Sequence, residues 1–463
     1  MRIKGISIPA TSLYDRFSEE EIFTRADEIL DPKTGEQRIR PMDTNHGKIC
    51  NGLTAISEEI GKLKKLVFFN VANSTIEKLP DAMKELESCT DLEVYNCPKM
   101  KNFPMVLAEM PALVSVNISN NLQWEADDLY HGIEALSEGP SKEKIQIFYC
   151  NNNRLETLPP SFRNFTKLGL LDLAYNRISS LPALGKNVSL VKVMLDHNLL
   201  TEIPHDEEGY FCGYNDMETF SCTYNKLKKV PDIFSAKSLF GMESVDFSFN
   251  DIDGFEGEAD GSYHGIYVET FTLAGNPKLT KFPSCLSESS SPVGYIILRG
   301  CGIREFPKGA LNGKYTSSLR SLDLSYNHLT ELPNDFNAEA LPYLYGVDLS
   351  YNAFTSVPFG PLNSASHTVY AIRGQRDAEG NRCLRTWPSN LYQHTGLRGF
   401  YIGSNDLRTI DETISYMIYN LDISDNPNIV FDASDICAWW KAGVYKLFYD
   451  KTQTIVNCDA MLE

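Results

Sequence analysis

The stretch LRSLDLSYNHLTELPNDF, Leu319 to Phe336, decides how the rest of the chain is read. Nearly the same text begins at Leu168 (LGLLDLAYNRISSLPAL), at Leu190 (LVKVMLDHNLLTEIPHD) and at Leu344 (LYGVDLSYNAFTSVPFG). Self-similarity at a steady period points to a stack of small units rather than to independent globular cores. Within the unit, Leu322–Asp323–Leu324 alternates as a strand does, one side chain in and the next out. Pro333 then stops the strand, because it carries no N–H for a ladder. Each unit is therefore one short strand, a sharp turn and an irregular or helical return. One unit cannot bury its apolar row alone, but stacked copies can.

Asn327 fixes the register. Apolar residues stand eight, five and three positions before it (Leu319, Leu322, Leu324) and two and five after it (Leu329, Leu332). At the turn, backbone groups leave the sheet and need partners, and an Asn side chain offers both donors and an acceptor. The same template places such a turn residue at Asn51, Ser74, Cys97, Asn121, Asn153, Asn176, Asn198, Asn225, Asn250, Asn276, Cys301, Asn327, Asn352, Gln375, Asn405 and Asn426, with Cys standing in where space is tight. These sixteen positions span fifteen intervals with a mean of 25 residues.

This L-x-x-L-x-L-x-x-N-x-L text, followed by L-P-x-x, resembles the leucine-rich repeat family in its bacterial-like form. The resemblance implies an α/β repeat solenoid, curved, with a parallel β-sheet on the concave face and short helices or loops on the convex face. It also implies a scaffold for binding rather than for catalysis. Three segments follow: 1–45, a cap or the remnant of an upstream domain, with a helix expected from Ser18; 46–430, the repeats; and 431–463, a C-terminal cap. In the first repeat, Leu53, Ile56, Ile60, Leu63 and Leu66 are expected to face inward. In the last segment, Asp432 is expected to cap a helix that ends at Gly443, Trp439 and Trp440 to cover the end of the core, and VYKLFYD from Val444 to form a last strand. Trp124–Lys144 reads as a helical insertion. His205–Gly213, Asp251–Gly265 and Arg376–Cys383 read as inserted loops.

Composition narrows the function. The 463 residues carry 61 acidic and 43 basic side chains, a net charge of −18, which excludes nucleic acid and disfavours an anionic membrane surface. No apolar run approaches the length of a membrane span. The start of the chain lacks a signal core of the usual length, so the chain is expected either to stay in the cytoplasm or to be a mature portion at the cell surface whose signal was removed. The eleven Cys are an odd number, and Cys89, Cys97, Cys150, Cys222 and Cys301 fall on repeat positions as small core residues. No paired-Cys cap is recognisable, so a mostly reduced monomer is expected.

No motif for nucleophilic or metal catalysis is present, and no cofactor is called for. The acidic run Asp251, Asp253, Glu256, Glu258, Asp260 lacks the order of an EF-hand and reads as a solvated loop. The remaining candidate is the outward row of the sheet. Four positions before the turn residue stand Asp172, Asp246, Asp323, Asp348 and Asp422. One position before it stand Tyr175, His197, Tyr224, Phe249, Tyr326 and Tyr351. Taken as outward strand positions, they make a carboxylate stripe beside an aromatic stripe. Aromatic rings anchor interfaces and carboxylates select basic partners. The expected function is recognition of a protein or peptide on this face. A glycan-binding surface is the alternative, and an enzyme whose site is assembled only in space comes third.

Overall fold

The computed structural model describes residues 54–461, except 206–210, 214–216, 234–241, 260–261, 263–265, 267, 284–292, 311–317, 335, 338, 359, 361–367, 390, 392–395 and 411–417. The chain divides into two compact units, Met1–Cys50 and Asn51–Glu463. The first unit, the Ser18 helix and the turn at Asn51 all lie outside the described residues.

Among the described residues of the second unit, sixteen parallel strands form one continuous sheet in chain order. Most are three residues long, from Phe68–Asn70 to Lys446–Phe448, and the centre of each is buried. The register is regular: Ser321, Leu322 and Asp323 pair with Gly346, Val347 and Asp348. The apolar positions read from the sequence make the core. Leu319, Leu322, Leu324 and Leu329 are fully buried, as are Leu168, Leu171, Leu173 and Ile178, each contributing about 1.5–3 kcal/mol of gross burial energy. A turn cannot hold this row without its neighbours, so stability resides in the stacking.

The turn residues form the expected ladder. The Asn327 amide donates to Leu298 O (2.8 Å) in the preceding turn and to Leu324 O (2.9 Å) in its own, and accepts from Ile303 N (3.0 Å). Asn352 repeats the pattern with Leu324 O, Leu349 O and Leu329 N. Cys97 and Cys301 donate through sulfur to Val71 O and Leu273 O, the same carbonyl of the preceding turn. Each sulfur also accepts a backbone hydrogen bond from the preceding turn residue, Ser74 for Cys97 and Asn276 for Cys301.

Short 3-10 turns after proline make up part of the return face: Asp81–Glu85, Met105–Glu109 and Pro160–Asn164. A proline holds the N-cap in each, where its missing N–H costs nothing. The insertion after Trp124 is an α-helix, Ala126–Glu138, whose Leu129, Ile133 and Leu136 join the core. The return face also carries small parallel sheets that the sequence reading did not expect. Gly185–Ser189 pairs with Cys212–Gly213, so the end of the inserted stretch 205–213 is strand rather than loop. Thr409–Ile410, Val430–Asp432 and Thr454–Val456 form a second small sheet.

Several expectations at the ends are corrected. Leu63 is 52% exposed because it follows the 3-10 turn Glu58–Lys62 and points outward, while Ile56, Ile60 and Leu66 pack on the core. Asp432 does not cap the last helix; it ends a strand, and its carboxylate accepts from Ser434 N and from the Asn457 amide. The helix is only Cys437–Lys441, and Gly443 closes it at φ +70 with its N–H on Trp440 O. Trp440 packs against the core, but Trp439 is 48% exposed. A disulfide joins Cys437 to Cys458, so the C-terminal segment does carry a paired-Cys brace, while Cys89, Cys97, Cys150, Cys222, Cys301 and Cys383 are free thiols. Neither bridging Cys lies on the repeat template, which is why the spacing hid them.

Lys446–Phe448 continues the main sheet as its sixteenth strand. Gln453 serves this turn, donating to Ile423 O at 2.7 Å and accepting from Asp450 N at 2.9 Å.

Candidate functional site

The residue just before each turn residue is not in the strand. Tyr175, His197, Tyr224, Phe249, Tyr326 and Tyr351 all have φ between +53° and +57°, in the left-handed region. Asn73, Asn96, Asn120 and Asn152 in the first turns have φ between +52° and +57°, while Gly275, Gly300 and Gly374 take the same place elsewhere. The reading of this column as outward strand positions is therefore corrected. The chain must reverse sharply as it leaves the sheet, and a left-handed residue makes that turn at a cost of roughly 1–2 kcal/mol for a non-glycine side chain. The surrounding ladder of turn bonds holds it there.

The consequence is a row of side chains along the sheet margin, one rung per turn. Its first part is polar: the Asn96 amide donates to the Asn73 amide oxygen (2.6 Å), and Asn152 bonds Asn120 in the same way. Its middle is aromatic. Tyr175, His197, Tyr224 and Phe249 stack with ring centroids 4.3, 4.3 and 4.4 Å apart and planes within 13° of parallel. Tyr326 and Tyr351 form a second stack at 4.2 Å. Ring faces inside each stack are thus covered and ring edges point outward; Tyr175 is 46% and Tyr351 37% exposed. Partial burial pushes the Tyr175 hydroxyl up and holds His197 below its ordinary value, so the imidazole in the stack favours its neutral form.

The Asp column lies on the sheet, but its carboxylates turn onto their own chain. Asp172 accepts from Ala174 N (3.0 Å), Asp246 from Ser248 N (2.8 Å), Asp323 from Ser325 N (2.8 Å), Asp348 from Ser350 N (2.8 Å) and Asp422 from Ser424 N (3.0 Å). Asn70 and Asn117 do the same in the first turns. An Asx side chain bonding the backbone two residues on is a local turn device. Asp172, Asp348 and Asp422 are buried, and Asp246 and Asp323 are half-buried. Burial pushes Asp246 up to about 6 and, with the charge of Asp323, Asp348 up to about 7. The column builds the turns first, and what charge it shows is partly withdrawn from solvent.

Two arginines two positions before the turn residue were not singled out in the sequence. Arg299 lies over the Tyr326 ring at 4.3 Å, and Arg373 lies over Tyr401 at 4.6 Å with its Nε on Asp422 (2.7 Å). Their signal was the arrival of a long cation where most turns carry Ser, Ala or Thr. The insertion after Gln375 folds into a tight loop with Arg376 paired antiparallel to Arg382, and Arg382 reaches Asp425 at 2.6 Å.

The acidic run does not converge. Asp251 meets Lys278 (3.1 Å), Asp253 meets Lys229 (2.8 Å) and Glu256 accepts from Asp232 N; Asp260 lies outside the described residues. Among the described residues no group of three or more His, Cys, Asp or Glu is placed to hold a metal ion, and no helix is long and apolar enough to cross a membrane.

A strand–turn–return unit with an Asn ladder, repeated along one parallel sheet, defines a leucine-rich repeat array. The Leucine Rich Repeat family profile matches residues 318–338. A leucine-rich repeat protein from Bacteroides eggerthii is 36% identical, with a TM-score of 0.84, over all of this chain and 82% of that one. One from Bacteroides thetaiotaomicron is 38% identical, with a TM-score of 0.83, over 94% of this chain and 56% of that one. Human podocan-like protein 1 is 29% identical over 191 residues, which are 40% of this chain and 35% of that protein. The chain thus spans about a third of that curated relative. The chain belongs to the leucine-rich repeat family.

Proposed function

We propose that this protein is a non-enzymatic recognition scaffold that holds a protein or peptide along the margin of its sheet, where the aromatic rungs lie. The observation that carries the reading is the stacking of Tyr175, His197, Tyr224 and Phe249, and of Tyr326 and Tyr351, at 4.2–4.4 Å. Rings already locked by their neighbours lose little freedom on binding, so their exposed edges and hydroxyls make pre-organised contacts. A net charge of −18 favours a basic partner and speeds its approach.

The stacking also weighs against a glycan as the main ligand, because a sugar is held on open ring faces and these faces are covered by the next rung. Selection of displayed random peptides on the immobilised protein tests the reading. Enrichment of binders that lose the Tyr326→Ala, Tyr351→Ala double variant is expected. Absence of any enriched binder, or binders indifferent to that variant, would sink it.

A further inference from the structure

Two carboxylates share one strip of the sheet between apolar neighbours. Asp323 and Asp348 pair in register on the adjacent strands Ser321–Asp323 and Gly346–Asp348. Neighbouring strands stand about 4.8 Å apart. The next strand on one side presents Ile297 at this level, and the next on the other side presents Ala371. Asp348 is buried. Two acids on adjacent rungs, with apolar side chains beyond them and little water, resist carrying two charges and hold a proton between them.

The charged and titratable groups around Asp348 come from three elements. Burial first and Asp323 second push Asp348 up, and Arg299, in the turn after Tyr295–Ile297, pulls it down. Tyr370 on the following strand is pushed up by burial and by the Asp348 charge, and its hydroxyl donates to Pro358 O at 3.0 Å. Arg373, in the turn after that strand, is engaged with Asp422 at 2.7 Å and lies over the Tyr401 ring. Arg299 is therefore the cation that answers the pair.

Arg299 has a second task. Its Nη1 donates to the Ser325 hydroxyl (3.4 Å), which donates to Asp323 (2.6 Å), while its guanidinium lies 4.3 Å from the Tyr326 ring centroid. Tyr326 in turn stacks on Tyr351 at 4.2 Å. One cation thus joins the carboxylate pair on the sheet to the second aromatic stack on its margin. We propose that the proton held between Asp323 and Asp348 regulates the Tyr326–Tyr351 stack through Arg299. The inference rests on the peptide-binding reading above and adds a control of that same site. When the proton leaves, the pair gains a full charge, and a guanidinium shielded from water follows a carboxylate rather than a ring. The Tyr326 ring loosens as pH rises through neutrality, and a peptide on its edge is held less tightly.

Ring-carbon NMR of tyrosine-labelled protein tests the coupling, with the Tyr326 and Tyr351 signals assigned by their loss in Tyr326→Phe and Tyr351→Phe. Between pH 5 and pH 8 both signals should move through one titration. Asp348→Asn keeps the shape and an acceptor for Ser350 N without the charge, and should fix both signals at their acid positions. Arg299→Gln keeps the acid pair and removes the link, and should leave the signals still. His328 is exposed two residues from Tyr326, and imidazoles also change charge in this range. His328→Gln should leave the titration intact. For a peptide selected on the protein, the dissociation constant should rise about fivefold or more from pH 5 to pH 8, and less than about twofold with Asp348→Asn. Melting temperature checks the fold of each variant.

Wild-type signals that stay still from pH 5 to pH 8 would overturn the proposal. A titration that survives Asp348→Asn or Arg299→Gln in a protein that melts like wild type would also overturn it, as would one lost in His328→Gln. A peptide that depends on Tyr326 and Tyr351 but binds equally at both pH values would remove the regulation and leave the peptide reading intact. Titrating rings with no selected peptide would support the coupling and sink the peptide reading.

Discussion

Asp323 and Asp348 stand in register on adjacent parallel strands, so two carboxylates face each other across one strand spacing. Each is held by the N–H of its own serine, Ser325 and Ser350, at 2.8 Å. Burial first, and the charge of Asp323 second, push Asp348 up to about 7, against a pull downward from Ser350 and Arg299. The pair is a place where the turn device and the electrostatics of the sheet conflict.

That conflict has a pH signature. The folded state keeps a proton on Asp348 up to about 7, whereas an unfolded Asp releases it near 3.8. Between those values the folded state binds more protons, so this group's contribution to stability falls as pH rises through that window. Urea midpoints at pH 5 and pH 8 should differ less for Asp348→Asn than for wild type. An equal difference in both would show that Asp348 does not titrate there.

The turn ladder is structural. Asn327→Ala strands Leu298 O, Leu324 O and the Ile303 N–H without their side-chain partner, which should cost about 1–3 kcal/mol. Asn327→Cys should cost less, because Cys301 and Cys97 already bond the preceding carbonyl through sulfur. Urea titration of both variants checks the order, and Cys no better than Ala would contradict it.

Gly374 is held by its neighbour as well as by its backbone. Ala there would place a Cβ 2.6 Å from the Tyr351 ring at φ +60, whereas Ala at Gly380, φ +84, meets nothing within 4 Å. Both substitutions carry left-handed strain of about 1–2 kcal/mol. Only Gly374→Ala must also displace a ring, so it should lower the melting temperature further than Gly380→Ala does.

The bridge between Cys437 and Cys458 has a sequence separation of 21 residues. Loop-closure entropy gives such a cross-link about 3 kcal/mol. In a stacked array that loss stays near the end where it occurs. Cys458→Ser should therefore raise amide exchange across 446–456 while leaving the Ser321–Asp323 and Gly346–Asp348 strands protected. Uniform loss of protection would argue against local opening.

Much of this was legible in the sequence, because Leu319, Leu322, Leu324 and Asn327 do one job each and recur at one spacing. The margin row was not. Tyr326 follows the alternation Asp323–Ser325 closely enough to pass for strand, and only the left-handed backbone removes it. Asp348 read as an outward charge because alternation points it away from the core; the turn N–H draws it back, and its first effect becomes one on stability. Gln453 escaped because the last turn is one residue longer before its ladder residue. Arg299 escaped because a guanidinium lying over the Tyr326 ring of the next turn is a relation among turns, not a motif within one.

The central claim is that the stacked rungs are the binding surface. Dissociation of a selected peptide measures it most directly. Tyr326→Ala with Tyr351→Ala should speed dissociation about tenfold or more while association changes little, as for buried interface aromatics. Tyr343→Ala, in the turn before the Gly346–Asp348 strand and 66% exposed, should leave both rates unchanged. A rung variant that melts like wild type and releases the peptide at the wild-type rate would contradict the account.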